Sequence, residues 1–349
     1  MKIFLDTSPL LNDHAIRGVG MYTKFLRANL AELNEVELVE SVKDADIVHY
    51  PFFDFFAATL PLRSGKPRVV TIHDVIPLQF FGKYWPGVKA LLKFLRQWLA
   101  LRNVSAIITD SQASKKAIQH YLQIPEKKIF VTLLAVDPEL RLPDTDTREK
   151  ISKSLKLPEK YVLYVGDINY NKNLPQLIKS LKFLPDEMKL VCVGKNFYPH
   201  DIPEWRWIET QIALSDVDKR LMFLNEIGPD QKGELATIYH QAVAYIQPSL
   251  AEGFGLPVLE AMQSKVPVVC AKNSSLIEVA GDQAMMVQPE AEQLAEGVQV
   301  IANFTSMQRS AWVTAAAEWA SKFTWQKTAK ATKKVYEEVL ASKIKKERS

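Results

Sequence analysis

Pro248-Ser249-Leu250-Ala251-Glu252-Gly253-Phe254-Gly255-Leu256-Pro257-Val258-Leu259-Glu260-Ala261-Met262 is the stretch that decides how this chain is read. It follows an apolar, strand-like run at 242–247. Gly253 and Gly255 break any helix there and let a backbone approach a ligand closely. Pro257 suits the first position of a helix, expected over 258–263. Amides at that helix start, near Gly255 and Leu256, have no intrahelical acceptor and offer an anion site suited to phosphate. Glu252 is expected to end the loop, aimed at a cleft. Glu260 is expected in the first helical turn, where a carboxylate is favoured by about 0.3–1 kcal/mol. Either carboxylate could accept two hydroxyl hydrogen bonds, as from the vicinal diol of a sugar or ribose. On residue chemistry alone, a strand–turn–helix connection with incidental acids stands as an equal reading.

Outward from this stretch, short apolar bursts alternate with longer amphipathic segments. The bursts lie at 2–5, 47–50, 69–72, 106–109 and 129–134, then at 161–165, 189–193, 242–247 and 266–271. Such a series points to buried parallel strands in βα units. It runs twice, and the two passes are separated by a polar stretch at 137–160 that holds Pro138, Pro143, Pro158 and a charged run. The fold class implied is α/β, with two doubly wound, Rossmann-like domains at 1–150 and 151–326 facing a central cleft. In such sheets, ligands bind beyond the carboxyl ends of the strands.

Composition narrows the options. The chain has 349 residues, 47% hydrophobic and 24% charged, which suits two globular cores rather than a disordered chain. A net charge of +4 is too mild to argue for nucleic-acid binding. Cys192 and Cys270 sit in apolar runs and read as buried, inert thiols. With no disulfide framework, a reducing cytoplasm is expected. The opening residues lack the apolar core of a signal peptide, and no window is apolar for long enough to span a bilayer.

Glu252 and Glu260, with seven residues between them in EGFGLPVLEAM, resemble the signature of glycosyltransferase family 4, retaining enzymes of GT-B fold. The resemblance extends to Val165-Gly166 with Lys172-Asn173-Leu174, to Leu235, Tyr239 and Ala242 ahead of Pro248-Ser249, and to Asn273-Ser274-Ser275 with Gly281-Asp282. In the first half it takes in Gly18-Val19-Gly20, His73-Asp74 and Ser111-Gln112-Ala113-Ser114-Lys115. Phe323-Thr324-Trp325 and Tyr336 fit the family's closing helix, expected at 327–349 and packed back on the N-terminal domain.

The resemblance implies roles. Glu260 would hold the ribose hydroxyls, Glu252 would contact the transferred sugar, and the backbone of Phe254, Gly255 and Leu256 would meet sugar and phosphates. Lys172, beside Gly166, would neutralise the diphosphate, a task suited to a compact ammonium. The loop Gly18-Val19-Gly20, preceded by Arg17, would approach the donor. His73 would lie at the cleft edge, contacting a sugar hydroxyl or steadying positive charge through its carbonyl. His14, His49, His120, His200 and His240 form no constellation. Two positions depart from the family: Asp167 and Asn171 stand where arginines are common, so one cation remains where two are usual. Asp167 is expected to point away or to pair with Lys172.

The expected activity is retaining transfer of a hexose, first mannose from GDP-mannose and next from UDP-hexoses, to a glycan or lipid-linked acceptor. The opening Leu5-Asp6-Thr7-Ser8-Pro9-Leu10 looks like bacterial mannosyltransferases of this family. No cofactor is expected, and the donor is expected to bind without a metal. Rival readings are a GT-B sugar-nucleotide epimerase and a catalytically weak nucleotide- or glycan-binding homologue. The segment 83–102 carries an apolar stripe (Tyr84, Val88, Leu91, Leu92, Leu95, Trp98, Leu99) beside Lys83, Lys89, Lys93, Arg96 and Arg102. It reads either as a helix packed on its domain or as a peripheral contact with an anionic membrane.

Overall fold

The computed structural model describes residues 1–11, 18–84, 87–228 and 230–347; His14 and Arg17 lie outside them. The chain divides into two units, Met1–Ala135 with Phe323–Ser349, and Val136–Lys322. The expected division at 150/151 falls inside the helix Thr145–Leu155. That helix packs on the helix Lys232–Gln241 and so belongs with the second unit.

In the first unit, β1 (Lys2–Leu5), β2 (Glu37–Leu38), β3 (Ile47–Tyr50), β4 (Arg68–Thr71), β5 (Ala106–Thr109) and β6 (Ile129–Val131) form one sheet in the order β2-β1-β3-β4-β5-β6. In the second, β7 (Tyr161–Val165), β8 (Lys189–Val193), β9 (Leu221–Leu224), β10 (Ala244–Gln247), β11 (Val268–Ala271) and β12 (Met285–Val287) are ordered β12-β11-β10-β7-β8-β9. Every pairing is parallel. Helices cover such sheets on both faces, so the inner strands are apolar without alternation, and β4, β5, β10 and β11 are buried along their whole length. Three strands escape the sequence reading: β2, β9 and β12. All three are sheet edges with partly exposed residues, so the continuous apolar run that marks an inner strand is missing.

The closing helix is Trp325–Glu347, and it packs on Gly18–Ala31 within the first unit. Trp325 stacks on Phe25 with ring centroids 5.2 Å apart, and Thr328 donates to the Leu133 carbonyl at 2.6 Å. Beneath them, His49 pairs through Nδ1 with the Tyr336 hydroxyl (2.7 Å) and through Nε2 with Thr71 Oγ1 (2.8 Å). Thr71 Oγ1 also pairs with the Tyr22 hydroxyl at 3.0 Å. Burial, helped by the charge of His73, pushes the His49 pKa down to about 3. His49 is therefore a neutral structural pin between helix and sheet, as a histidine outside any constellation should be.

The helix Val88–Arg102 departs from a simple packed stripe. It buries Gln97, Ala100 and Leu101, while Gln97 exchanges hydrogen bonds with the Leu60 backbone and Trp98 donates to the Leu122 carbonyl. Val88, Leu92, Leu95 and Leu99 face outward at 71%, 68%, 52% and 47% exposure. Their spacing puts them on one face of the helix.

Candidate donor site

The stretch that opened the sequence reading folds as expected into a strand end, a loop and a helix. Gly255 is the N-cap of Leu256–Gln263, with φ +104°. That left-handed backbone favours glycine, and a Cβ there would also meet Leu276 Cδ2 at 2.8 Å. Because the helix begins at Leu256, Glu260 falls in its second turn and no acid lies in the first. The expected support from the helix dipole therefore does not apply to Glu260. Instead the Tyr239 hydroxyl donates to its Oε2 at 2.9 Å. Burial raises the Glu260 pKa; the Tyr239 bond and the charge of Lys232 pull it down, and that of Asp137 pushes it up. Lys232 and Asp137 pair with each other at 2.7 Å.

Irregular buried backbone needs partners for its carbonyls, and here asparagine and serine side chains supply them. Asn173 donates to the Pro248 carbonyl (3.1 Å), Asn273 to that of Ser249 (2.8 Å) and Asn171 to that of Ala251 (2.9 Å). The Ser275 hydroxyl lies within donating range of the Glu252 and Phe254 carbonyls, and the Glu252 amide donates to Ser274 Oγ at 3.0 Å. Asn171 is 2% exposed. Its amide fastens the glutamate loop to the turn Tyr170–Lys172.

That turn brings Lys172 onto Glu252. Nζ lies 2.7 Å from Oε1 and 2.9 Å from Oε2. Gln247 Nε2 (2.9 Å) and Ser249 Oγ (2.6 Å) also donate to Oε1. The Lys172 side chain is 19% exposed and that of Glu252 8%. Asp167, one of the two departures, does not pair with Lys172. Its Oδ1 accepts from Asn196 Nδ2 at 2.6 Å and from the Ile168 amide at 2.8 Å. Gly166 follows β7, and Gly194, which sequence reading missed, follows the neighbouring β8. A Cβ on Gly194 would run into the Gly166 carbonyl oxygen, and one on Gly166 would lie 2.7 Å from the Tyr164 hydroxyl. Gly194 is thus required where the two strand ends approach closely.

The remaining candidates belong to the first unit. Gly18 and Gly20 are not in a loop; they form the first turn of Gly18–Ala31. His73 follows β4, and its Nδ1 lies 2.7 Å from Asp110 Oδ2, a partner not foreseen from sequence. Burial acts to lower the His73 pKa, but the charge and hydrogen bond of Asp110, with Asp74 and the Pro51 carbonyl, raise it overall. The His73 carbonyl accepts from Ser114 Oγ at 3.1 Å, which gives Ser114, in the second half of the SQASK segment, a physical role.

A family model described as glycosyl transferases group 1 matches residues 146–319, and one described as glycosyltransferase family 4 matches residues 9–140. The chain is 27% identical over 296 residues to O-antigen chain mannosyltransferase B of Escherichia coli, covering 82% of this chain and 75% of that protein. It is 28% identical over 235 residues to O-antigen chain mannosyltransferase RfbU of Salmonella typhimurium, covering 67% and 60%. Among solved structures, Anabaena HepE in complex with UDP-glucose matches with a TM-score of 0.73 at 18% identity, over 97% of this chain and 99% of that one. The two parallel sheets and these matches identify a GT-B fold. The chain belongs to the group 1, family 4 glycosyltransferases and is a hexosyltransferase.

Proposed function

We propose that the enzyme transfers mannose from GDP-mannose, with retention and without a metal, to a glycan or lipid-linked acceptor of a surface polysaccharide. The observation that carries this reading is the Lys172–Glu252–Glu260 arrangement on a family 4 chain whose relatives include two O-antigen mannosyltransferases. UDP-hexose is the second donor, favoured by the fold's likeness to a protein solved with UDP-glucose. Glu260 would receive the ribose hydroxyls, Lys172 the diphosphate, and Glu252 the hexose. The backbone of Phe254, Gly255 and Leu256 would meet sugar and phosphates. His73 would contact a sugar hydroxyl or steady positive charge through its carbonyl.

In the reaction, the acceptor oxygen bonds to the anomeric carbon on the face that the diphosphate leaves. The anomeric carbon–phosphate oxygen bond breaks, and a diphosphate oxygen takes the acceptor proton. The protein contributes positioning and stabilisation of the leaving charge. Support for the metal-free reading is that Lys172 offers a cation for the diphosphate. The test is transfer or donor hydrolysis with GDP-mannose, UDP-glucose and UDP-galactose, with and without EDTA, and the anomer assigned by NMR. Turnover confined to GDP-mannose, insensitive to EDTA and giving the α product, is expected. Inversion, or activity abolished by EDTA, would overturn that part of the reading.

The outward stripe of Val88–Arg102 supports a cytoplasmic enzyme that docks peripherally on an anionic membrane to reach a lipid-linked acceptor. Val88, Leu92, Leu95 and Leu99 would enter the interface beside Lys89, Lys93, Arg96 and Arg102, on a helix with no acidic residue. No helix among the described residues is long and apolar enough to cross a membrane. Flotation with vesicles containing anionic lipid should recover the protein, and Leu92→Glu with Leu95→Glu should reduce recovery about tenfold. Equal flotation of the double variant would remove the helix from the contact.

A further inference from the structure

The two residues assigned to opposite ends of the donor are bonded to each other. Lys172 Nζ sits within 2.7 and 2.9 Å of the two Glu252 carboxylate oxygens. Oε1 is further engaged by Gln247 and Ser249, whereas Oε2 has Lys172 as its partner in these contacts. Both side chains are largely buried. Lys172 thus holds the Glu252 carboxylate that is assigned to the hexose, and the cation assigned to the diphosphate is neutralised by it.

We propose that this ion pair is exchanged when the donor binds, and that the exchange makes the site prefer the sugar nucleotide over the nucleoside diphosphate product. The proposal deepens the donor-site reading above and rests on it. When Lys172 turns to the diphosphate, Glu252 loses its counter-ion in a place where water cannot replace it fully. A bound hexose supplies hydroxyl donors to Oε2, so the carboxylate stays satisfied. A bare nucleoside diphosphate supplies none. Once the hexose has been transferred, Glu252 again draws Lys172 back, and the product diphosphate loses its cation. No covalent step is involved; the device sorts donor from product by which hydrogen bonds each can complete.

The other partners strengthen this reading. Gln247 is itself held, because the Tyr245 hydroxyl donates to its Oε1 while its Nε2 reaches Ser249 and Glu252. Ser249, Gln247 and the loop backbone therefore keep Glu252 in place while Lys172 moves. Lys172 ends a one-turn helix and has a flexible four-carbon stem, so it is the mobile member of the pair.

Calorimetry with GDP against GDP-mannose, and with UDP against UDP-glucose, tests the exchange on the full chain. In the wild type, the sugar nucleotide of the pair that binds should be at least about fivefold tighter than its diphosphate. Glu252→Gln keeps an oxygen for Gln247 and Ser249 and removes the charge that holds Lys172. It should tighten the bare diphosphate about tenfold and leave the sugar nucleotide unchanged or weaker, so the preference falls by at least about tenfold. Equal tightening of both ligands would reduce Glu252 to a repulsive charge and overturn the exchange, as would an unchanged diphosphate affinity. Should Glu252→Gln not fold, wild-type binding decides: added free mannose or glucose should tighten the diphosphate, and no synergy with either overturns the proposal. If none of the four nucleotides binds the wild type, the donor-site reading itself fails and the exchange falls with it.

Discussion

Lys172→Ala is expected to lower kcat a hundred- to a thousandfold, measured with saturating donor and acceptor. The figure follows from the proposed role: losing one group that stabilises a leaving anion costs about 3–4 kcal/mol in comparable sites. Two features place Lys172 at the high end of such effects. Its sequence neighbours Asp167 and Asn171 are not cations; Asp167 is committed to Asn196 and Asn171 to the Ala251 carbonyl. Removing Lys172 also leaves the Glu252 carboxylate, 8% exposed, without its counter-ion. The variant should therefore melt several degrees lower, as expected of a broken, largely buried pair. The double variant Lys172→Ala with Glu252→Gln separates the two effects: the melting temperature should recover while turnover stays low. Near-normal turnover in the single variant would remove Lys172 from diphosphate stabilisation. Recovery of turnover in the double variant would make its role structural.

What the sequence made legible follows from burial and sequence distance. Inner strands such as β5 and β7 read directly, because burial on both faces demands an unbroken apolar run. The edge strands β2, β9 and β12 obey no such demand. The periodicity of Val88–Arg102 is visible in the sequence, but periodicity does not say which face meets the protein; Leu92 and Leu95 face out while Ala100 and Leu101 face in. At the site, the glutamates, Gly255 and Lys172 could be picked out by type and motif. The Lys172–Glu252 bond joins residues 80 apart in sequence and has no local signature. Asp110, at the end of β5, carried only a weak signal, a lone acid closing an apolar run. Asn171 misled because a charge-based reading sees a missing cation, whereas the fold uses its amide as a clamp.

Glu260→Ala should weaken binding of the matching nucleoside diphosphate roughly a hundredfold by calorimetry. Two hydroxyl hydrogen bonds to a carboxylate, each worth about 1.5–3 kcal/mol, reach that size even when part is regained from water. A cycle with the 2′-deoxy nucleotide ties the loss to the ribose. Wild type should lose much of its affinity when the 2′-hydroxyl is removed, and Glu260→Ala should lose almost none. Equal losses in both proteins would place the contact elsewhere. The same residue should cost stability in the absence of ligand. Its pKa is raised because burial disfavours the carboxylate. A raised pKa means that the folded state holds the proton more tightly than the unfolded chain, so stability falls as pH rises through the usual glutamate range and stays lowered above the folded pKa. Glu260→Gln, which keeps an acceptor for the Tyr239 hydroxyl, should therefore raise the melting temperature by a few degrees at pH 8 and by much less at pH 4. A gain independent of pH would mean that packing, and not the buried charge, limits stability at this position. A carboxylate kept at that cost, under the Tyr239 hydroxyl and beside Lys232 and Asp137, fits the role proposed for Glu260 of receiving ribose hydroxyls.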